Sequence, residues 1–304
     1  MNYNPLVSII CLCYNHEKFV REALNSVINQ TYPNIELIIV DDCSTDNSTV
    51  AIKKWLLNYP HVTFIENIKN LGNTKSFNNA FAKSKGAFII DLAADDILNT
   101  NAVELQLEAF RTSTYENLGI VYGNVELIFE DNTHFKYFFE VDQNKKRIKR
   151  QPTGDIYLGL LSLQNNVCSV SSMVKRTVYE KLNGYNEDLY YEDFDFWIKA
   201  SRLYTFDFID EVIMKKRELK NSLSAQRFKR FNPKTRKFNR STYKIVSNAL
   251  QLNKTNEENK AILKMIHFEI EIAIRTLDPI LFLKYFFLEM KILKAMYHLK
   301  NTHK

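Results

Sequence analysis

The sequence predicts an α/β protein built on a doubly wound, mostly parallel sheet with helices on both faces, followed by a C-terminal helical extension. Three observations carry that expectation. Apolar runs alternate with segments of helical period through residue 115, the pattern of repeated βαβ units. The runs are rich in Ile, Val and Leu without polar alternation, as in parallel strands covered on both faces. Two further apolar stretches at helical spacing close the chain, "NKAILKMIHFEIEIAIRTL" and "PILFLKYFFLEMKILKAMYHL".

In chain order, "LVSIICLCY" is the first strand, residues 17–30 the first helix, "IELIIV" the second strand and 46–58 the second helix. "VTFIEN" is the third strand, 74–85 the third helix and "AFIIDL" the fourth strand. Beyond residue 115, "GIVYGNVELIF" and "HFKYFFEV" read as a hairpin, "CSVSSMVKR" as another strand, and "EDFDFWIKASRL" as an amphipathic helix with an acidic first turn. From about residue 222 the chain reads as basic and loop-like, and the two closing helices break at Asp278 and Pro279, as antiparallel neighbours. These shifts divide the chain into 1–220, itself split near 115, and 221–304.

Composition bounds the class. With 304 residues, 45% apolar and 13% aromatic, the chain can bury a substantial core. Seven Gly and six Pro exclude a low-complexity protein. The four cysteines show no CxxC spacing, which argues against a thiolate metal site and for a reducing compartment. The N-terminus lacks a basic n-region, and "PILFLKYFFLEMKIL" is interrupted by Lys284 and Glu289, so the expectation is a cytoplasmic protein that does not span a membrane. Residues 215–244 carry a net +11 while the whole chain carries +6. That segment, with the apolar helices and their interleaved lysines, suits peripheral attachment to an anionic leaflet; packing of those helices on the rest of the chain or on a second copy is the plainer alternative.

The polar residues at the strand ends are the candidates for chemistry. Tyr14 and Asn15 end the first strand, Asp41 and Asp42 the second, Asp95 and Asp96 the fourth, all at the edge where such sheets bind ligands. Ser44, Thr45 and Asp46 read as helix caps. Two adjacent carboxylates repel and are costly to bury unpaired, so a bland structure gains nothing from them. Carboxylate oxygens are natural ligands of Mg²⁺ and Mn²⁺, which take one or two carboxylates together with substrate phosphates.

The blocks "VSIICLCYN", "NQTYPNIELIIVDDCSTDNS", "NLGNTKSFNNA", "DLAADD" and "LNGYNEDLYYEDFDFWIKA", in this order, resemble the family 2 glycosyltransferases of the GT-A fold over roughly residues 6–215. The resemblance implies an inverting enzyme that moves a sugar from a nucleotide diphosphate, a UDP-sugar, to a hydroxyl of a surface glycan or lipid-linked saccharide. It implies a nucleotide-binding half over 1–115 and an acceptor half over 116–220. Tyr14 and Asp41 or Asp42 would line the base and ribose, Asp95 and Asp96 would hold Mn²⁺ or Mg²⁺ on the diphosphate, and Asp193, preceded by Glu192, would be the general base. Asp195 would face elsewhere. Ser171, Ser172 and Lys175 would lie toward the acceptor.

Three departures accompany the resemblance. The common Leu-Asp-Ala-Asp-Asp is Leu92-Ala93-Ala94-Asp95-Asp96 here, leaving Asp91 as the nearest replacement for the absent carboxylate. Phe77 stands where Arg is often found, leaving Lys75 as the phosphate partner, and His16 stands where some relatives carry Lys. Two other classes fit the residues less well. A nucleotidyltransferase making sugar nucleotides calls for a Gly-rich phosphate loop, and "CLCYNHEKF" has no Gly. A nucleic-acid module would use the basic segment with Phe228, Phe231 and Phe238, but no recognition motif accompanies it, so no nucleic acid is expected.

Overall fold

The computed structural model describes residues 4–163, 167–219 and 227–301. Residues 220–226, within the basic segment, lie outside them. The chain forms two compact units, the first comprising 1–154, 167–187 and 204–219 and the second 155–166, 188–203 and 220–304. Parts of the chain well before residue 220 thus belong with the C-terminal helices.

The first unit is built around β1 (Val7–Cys13), which pairs in parallel with β2 (Ile35–Asp41) and with β4 (Phe88–Ala93), while β3 (Thr63–Glu66) extends β2 in the same sense. The connecting helices are α1 (Val20–Ile28), α2 (Ser48–Leu56) and α3 (Asn73–Phe81). Every β1 residue is buried. Val7, Ile9, Cys11 and Cys13 share a core with Leu24 of α1, Trp55 of α2 and Leu107 of α4 (Ala102–Thr112). The alternate residues Ile10 and Leu12 point to the other face, where α3 packs on β1 and β2. That two-sided burial explains the unbroken apolar runs.

The remaining strands make the sheet mixed. The two-residue β5 (Ile97–Leu98) follows β4, and β6 (Leu118–Ile128) forms the expected hairpin with β7 (His134–Tyr137). Only Met173–Lys175 of the predicted "CSVSSMVKR" strand is extended, as β8, because Ser169–Ser171 forms a 3-10 turn first. β8 runs antiparallel to both β4 and β6. The last strand, β9 (Thr205–Arg217), has no counterpart in the sequence reading, since Asp207, Asp210 and Glu211 interrupt its apolar pattern. It lies parallel to β6 and antiparallel to β5, giving the order β3-β2-β1-β4-β8-β6-β9-β5 with β7 on β6.

The second unit is helical. It holds α5 (Tyr157–Leu161), α7 (Asp193–Ser201), α8 (Pro233–Leu252), α9 (Asn256–Arg275) and α10 (Pro279–Asn301), while α6 (Arg176–Leu182) belongs to the first. The loop-like reading beyond residue 222 is corrected here: α8 is a 20-residue helix. Asn232 caps it by accepting from the N–H groups of Lys234 and Thr235, at 2.8 and 3.3 Å, with Pro233 at the first turn. Its buried stripe of Phe238, Ile245, Val246 and Ala249 lies beneath the charges that dominate the sequence. Thr255 and Glu258 form a reciprocal capping box on α9. The break at Asp278 and Pro279 is where predicted, with Asp278 Oδ1 accepting from Leu281 N–H at 3.1 Å. His267 of α9 meets Glu289 of α10 at 2.7 Å, residues roughly equidistant from the turn, as antiparallel neighbours do. Among the described residues no helix is long and apolar enough to cross a membrane.

Candidate active site

The loops after β1 and β2 are tied into one structure at the carboxyl edge of the sheet. Asn15 turns the chain in the left-handed region, φ 61°, which a short polar side chain tolerates. Its Oδ1 accepts from Thr45 N–H at 2.7 Å, and its own N–H donates to Ser44 Oγ at 2.9 Å. The N–H groups of His16 and Glu17 donate to Ser48 Oγ and Asp46 Oδ2, at 2.9 and 3.0 Å. Asp46 also takes the Ser48 N–H at 2.9 Å, the cap-like role its position predicts. Ser44 and Thr45 instead hold the β1 loop. Tyr14, beside them, is 45% exposed.

The two carboxylates after β2 have different duties. Asp41 is buried and committed to its own loop, accepting from Ser44 N–H at 3.0 Å, Ser44 Oγ at 2.6 Å and Thr49 Oγ1 at 3.0 Å. Asp42 reaches across to the segment before α3. Its Oδ1 accepts from Asn67 Nδ2 at 2.9 Å and Leu71 N–H at 2.8 Å, and its Oδ2 from Gly72 N–H at 2.8 Å. Such charge-assisted bonds are the strong ones, and they leave the buried carboxylate satisfied.

Asp95 and Asp96 also divide. Asp96 is 2% exposed and its Oδ1 accepts the Arg217 N–H, at the end of β9, at 2.9 Å. Burial, and then the neighbouring Asp95 charge, push its carboxyl well above the usual range. Arg217, equally buried, donates to the Asp95 carbonyl, to Asn132 and, at 2.8 Å, to Glu22, and its guanidinium lies 4.4 Å from the Phe19 ring centre. Lys216 pairs with Glu218 at 3.1 Å; burial lowers its ammonium, but Asp96 and Glu218 outweigh that and leave it above its ordinary value. Asp95 is the carboxylate turned to the edge, with Oδ1 3.6 Å from His16 Nδ1, a buried nitrogen that makes no hydrogen bond.

A divalent cation at this edge would find few protein ligands. Among the described residues no group of three or more His, Cys, Asp or Glu side chains could form a cage on its own. The buried Asp96 and its edge-facing neighbour Asp95 fit a Mg²⁺- or Mn²⁺-type ion that takes its remaining ligands from phosphate oxygens and water. Ala93 contributes no oxygen, and Asp91 is a hydrogen-bond partner of Tyr185 OH at 3.2 Å.

A family model described as "Glycosyl transferase family 2" matches residues 8–182. The chain belongs to glycosyl transferase family 2. An uncharacterized glycosyltransferase of Rickettsia typhi is 32% identical over 217 residues, which span 71% of this chain but only 64% of that relative. Among solved structures, residues 1–349 of Staphylococcus aureus TarS, in complex with UDP-GlcNAc, align with TM-score 0.62 and 18% identity over 84% of this chain and 70% of that one. The mannosyltransferase PcManGT of Pyrobaculum calidifontis, in complex with GDP-Man and Mn²⁺, aligns with TM-score 0.60 and 18% identity over 98% and 76%. These two likenesses give the GT-A-like fold.

The other candidates fall elsewhere in this family 2 chain. Lys75, in the first turn of α3, is half-exposed and stands 3.7 Å from Glu187. The hydroxyl of Ser172 donates to the Ser169 carbonyl, and that of Ser171 to Gly123 and Cys168 carbonyls, both at 2.8 Å, so both hydroxyls are engaged in the 3-10 turn. Lys175 pairs with Phe88 at the start of β4, the sheet edge opposite to Asp95 and Asp96, and covers the Phe110 ring at 5.5 Å, with burial lowering its ammonium. Phe77 is fully buried among Tyr179 and Tyr185. Asp193 and Glu192 belong to the second unit, where Glu192 is the N-cap of α7 and Asp193 its first residue, Oδ1 accepting from Phe194 N–H at 2.8 Å. Asp195 is buried and paired with Lys199. The sequence reading did not single out Arg217, Lys216 or Asn67. The first two stood undistinguished in a basic run, and only the pairing of β9 brings them to the carboxylates.

Proposed function

We propose that this chain is an inverting, metal-assisted glycosyltransferase that moves a sugar from a nucleotide diphosphate, a UDP-sugar, to a hydroxyl of a surface-glycan acceptor such as capsule, lipopolysaccharide or a lipid-linked saccharide. The observation that carries the reading is one polar edge, where the β1 and β2 loops are tied together and Asp95 of the β4 loop stands 3.6 Å from His16, with Asp96 anchored behind it. Donor complexes of the two structural neighbours, with UDP-GlcNAc in one and GDP-Man with Mn²⁺ in the other, support a nucleotide-sugar donor.

In this reading Tyr14, Asp41 and Asp42 frame the nucleoside, with Asp42 holding the 67–72 segment around it. Lys75 faces phosphate. Asp95 and Asp96 would hold the cation, with Asp96 also fixing the turn through the Arg217 N–H. When bound, the cation neutralises the charge that develops on the diphosphate. Asp193 takes the proton of the acceptor hydroxyl as the new C–O bond forms at the anomeric carbon, and the bond to the diphosphate breaks with its electron pair leaving on the nucleotide. One such displacement inverts the configuration.

The test is transfer and donor hydrolysis over a panel of sugar nucleotides with Mn²⁺, Mg²⁺ or EDTA. Asp95→Asn is expected to weaken Mn²⁺-dependent UDP binding and transfer together. Asp193→Asn should lose about a hundredfold or more in transfer, the usual worth of a general base, with UDP affinity intact. Unimpaired transfer by Asp193→Asn removes it as base, and metal-independent turnover removes the cation.

Peripheral attachment to an anionic membrane is part of the proposal. The outward side of α10 carries exposed Ile280, Leu283, Phe287 and Met290 interleaved with exposed Lys284, Lys291 and Lys294, while Leu281, Tyr285 and Ile292 pack inward. Phe228 and Phe231 are exposed among basic residues, and Arg230 donates to the Arg275 carbonyl beside the start of α10. A helix whose exposed side mixes large apolar side chains with lysines suits an anionic interface better than water. Flotation with anionic vesicles at low salt should recover the protein, and Ile280→Glu with Phe287→Glu should abolish it. No flotation at any salt excludes the surface.

A further inference from the structure

The residues ahead of Asp193 are held by one helix. Lys244 Nζ donates to the Asp188 carbonyl at 3.2 Å, and Tyr190 N–H donates to Ser241 Oγ at 2.8 Å. Lys237 Nζ lies 4.7 Å from the centre of the Tyr190 ring. The Tyr191 hydroxyl is 2.8 Å from Thr242 Oγ1, and its ring stacks on Phe238 with centres 4.3 Å apart and planes 14° from parallel. Phe238, Ser241 and Thr242 are all buried and follow one another at helical spacing along α8.

The grip has a foundation. Arg227 lies 5.5 Å from the centre of the Phe238 ring and pairs with Glu269 of α9, which is 2% exposed. A backbone amide, a ring and a phenol two to three residues before Asp193 are therefore fixed by side chains from a helix whose buried stripe continues, through Ile245, Val246 and Ala249, into the C-terminal core. Untethered loop segments open at little cost, whereas a proton acceptor must be held within a few tenths of an ångström of its working position.

We propose that α8 is a positioning element for the base: Ser241, Thr242 and Phe238 fix the Tyr190–Tyr191 step, and through it the direction of the Asp193 carboxylate. This rests on the reading of Asp193 as base. The C-terminal extension is thereby part of the catalytic apparatus, although none of these three residues touches the reacting atoms.

The experiment uses the full chain and donor hydrolysis, in which water is the acceptor. Thr242→Val and Ser241→Ala are expected to lower kcat roughly tenfold, as misplacement of a catalytic group does. Donor KM and UDP affinity should stay unchanged, and amide exchange should quicken at Tyr190 and Tyr191. Thr242→Ser, which keeps the hydroxyl, should restore the rate. Unchanged kcat in both variants overturns the proposal, as does a loss of kcat that tracks loss of UDP affinity and thermal stability, since that marks general unfolding. An inactive Asp193→Asn beside a fully active Thr242→Val sinks only the positioning role; an active Asp193→Asn sinks the base, and this inference with it.

Discussion

Asp42 is a residue whose removal has a definite structural price. Three donors converge on its carboxylate, two of them backbone N–H groups of Leu71 and Gly72. Asp42→Ala would leave them unpaired in a largely buried place, and a loss of about 2–4 kcal/mol in urea unfolding is expected. Asp42→Asn, which keeps one acceptor, should lose less. Gly72, at φ 84° and ψ 163°, occupies a region open to little but glycine, and nothing lies within 4 Å of a Cβ built there. Gly72→Ala should therefore cost about 1–3 kcal/mol from backbone strain alone, with no clash to relieve. For Asp96 the sign reverses. An amide oxygen can still accept from Arg217 while the buried charge disappears, so Asp96→Asn should melt no lower than the parent, whereas Asp96→Ala should melt lower. The adjacent carboxylates were visible in the sequence. Which of them turns inward was not, because the group that turns it, the Arg217 amide, lies 121 residues away.

Among the elements, α9 carries a titration that reaches the stability of the whole helical unit. Burial raises the Glu269 carboxyl above its usual 4.5, only partly offset by Arg227. A carboxyl that binds its proton more tightly folded than unfolded favours the fold at low pH, and that contribution is lost as pH rises from 4.5 through the folded value. Glu269→Gln should flatten the fall in melting temperature over that window, measured against the parent; a parallel curve for both proteins would show that Glu269 does not titrate there. The legibility of elements follows the range of their causes. Strands β1 to β4 and their helices could be read because each βαβ unit is specified within about 30 residues. The strand β9 and helix α8 could not. The pairing partners of β9 lie far away in the chain, and the Asn232–Pro233 start signal and apolar stripe of α8 were outweighed by its charges.

At the scale of the molecule, the helical unit draws on three stretches of chain. Tyr157, Leu161, Leu189 and Ile198 share a core with Ile245, Val246, Met265 and Ile266. A chain ended at residue 219 would leave the first four without cover. Such a fragment should bind a hydrophobic dye and aggregate, and a soluble, cooperatively melting fragment would contradict this account. The cut that composition suggests near residue 220 marks where charge changes along the chain. The compact units are marked instead by apolar residues that composition cannot assign to a partner. The backbone passes from one unit to the other after residues 154, 166, 187, 203 and 219. Anyone building hybrid enzymes by exchanging tails between relatives would therefore have to transplant residues 155–166 and 188–203 along with the last helices, since a swap at a single junction would graft half of an interlocked core onto a stranger.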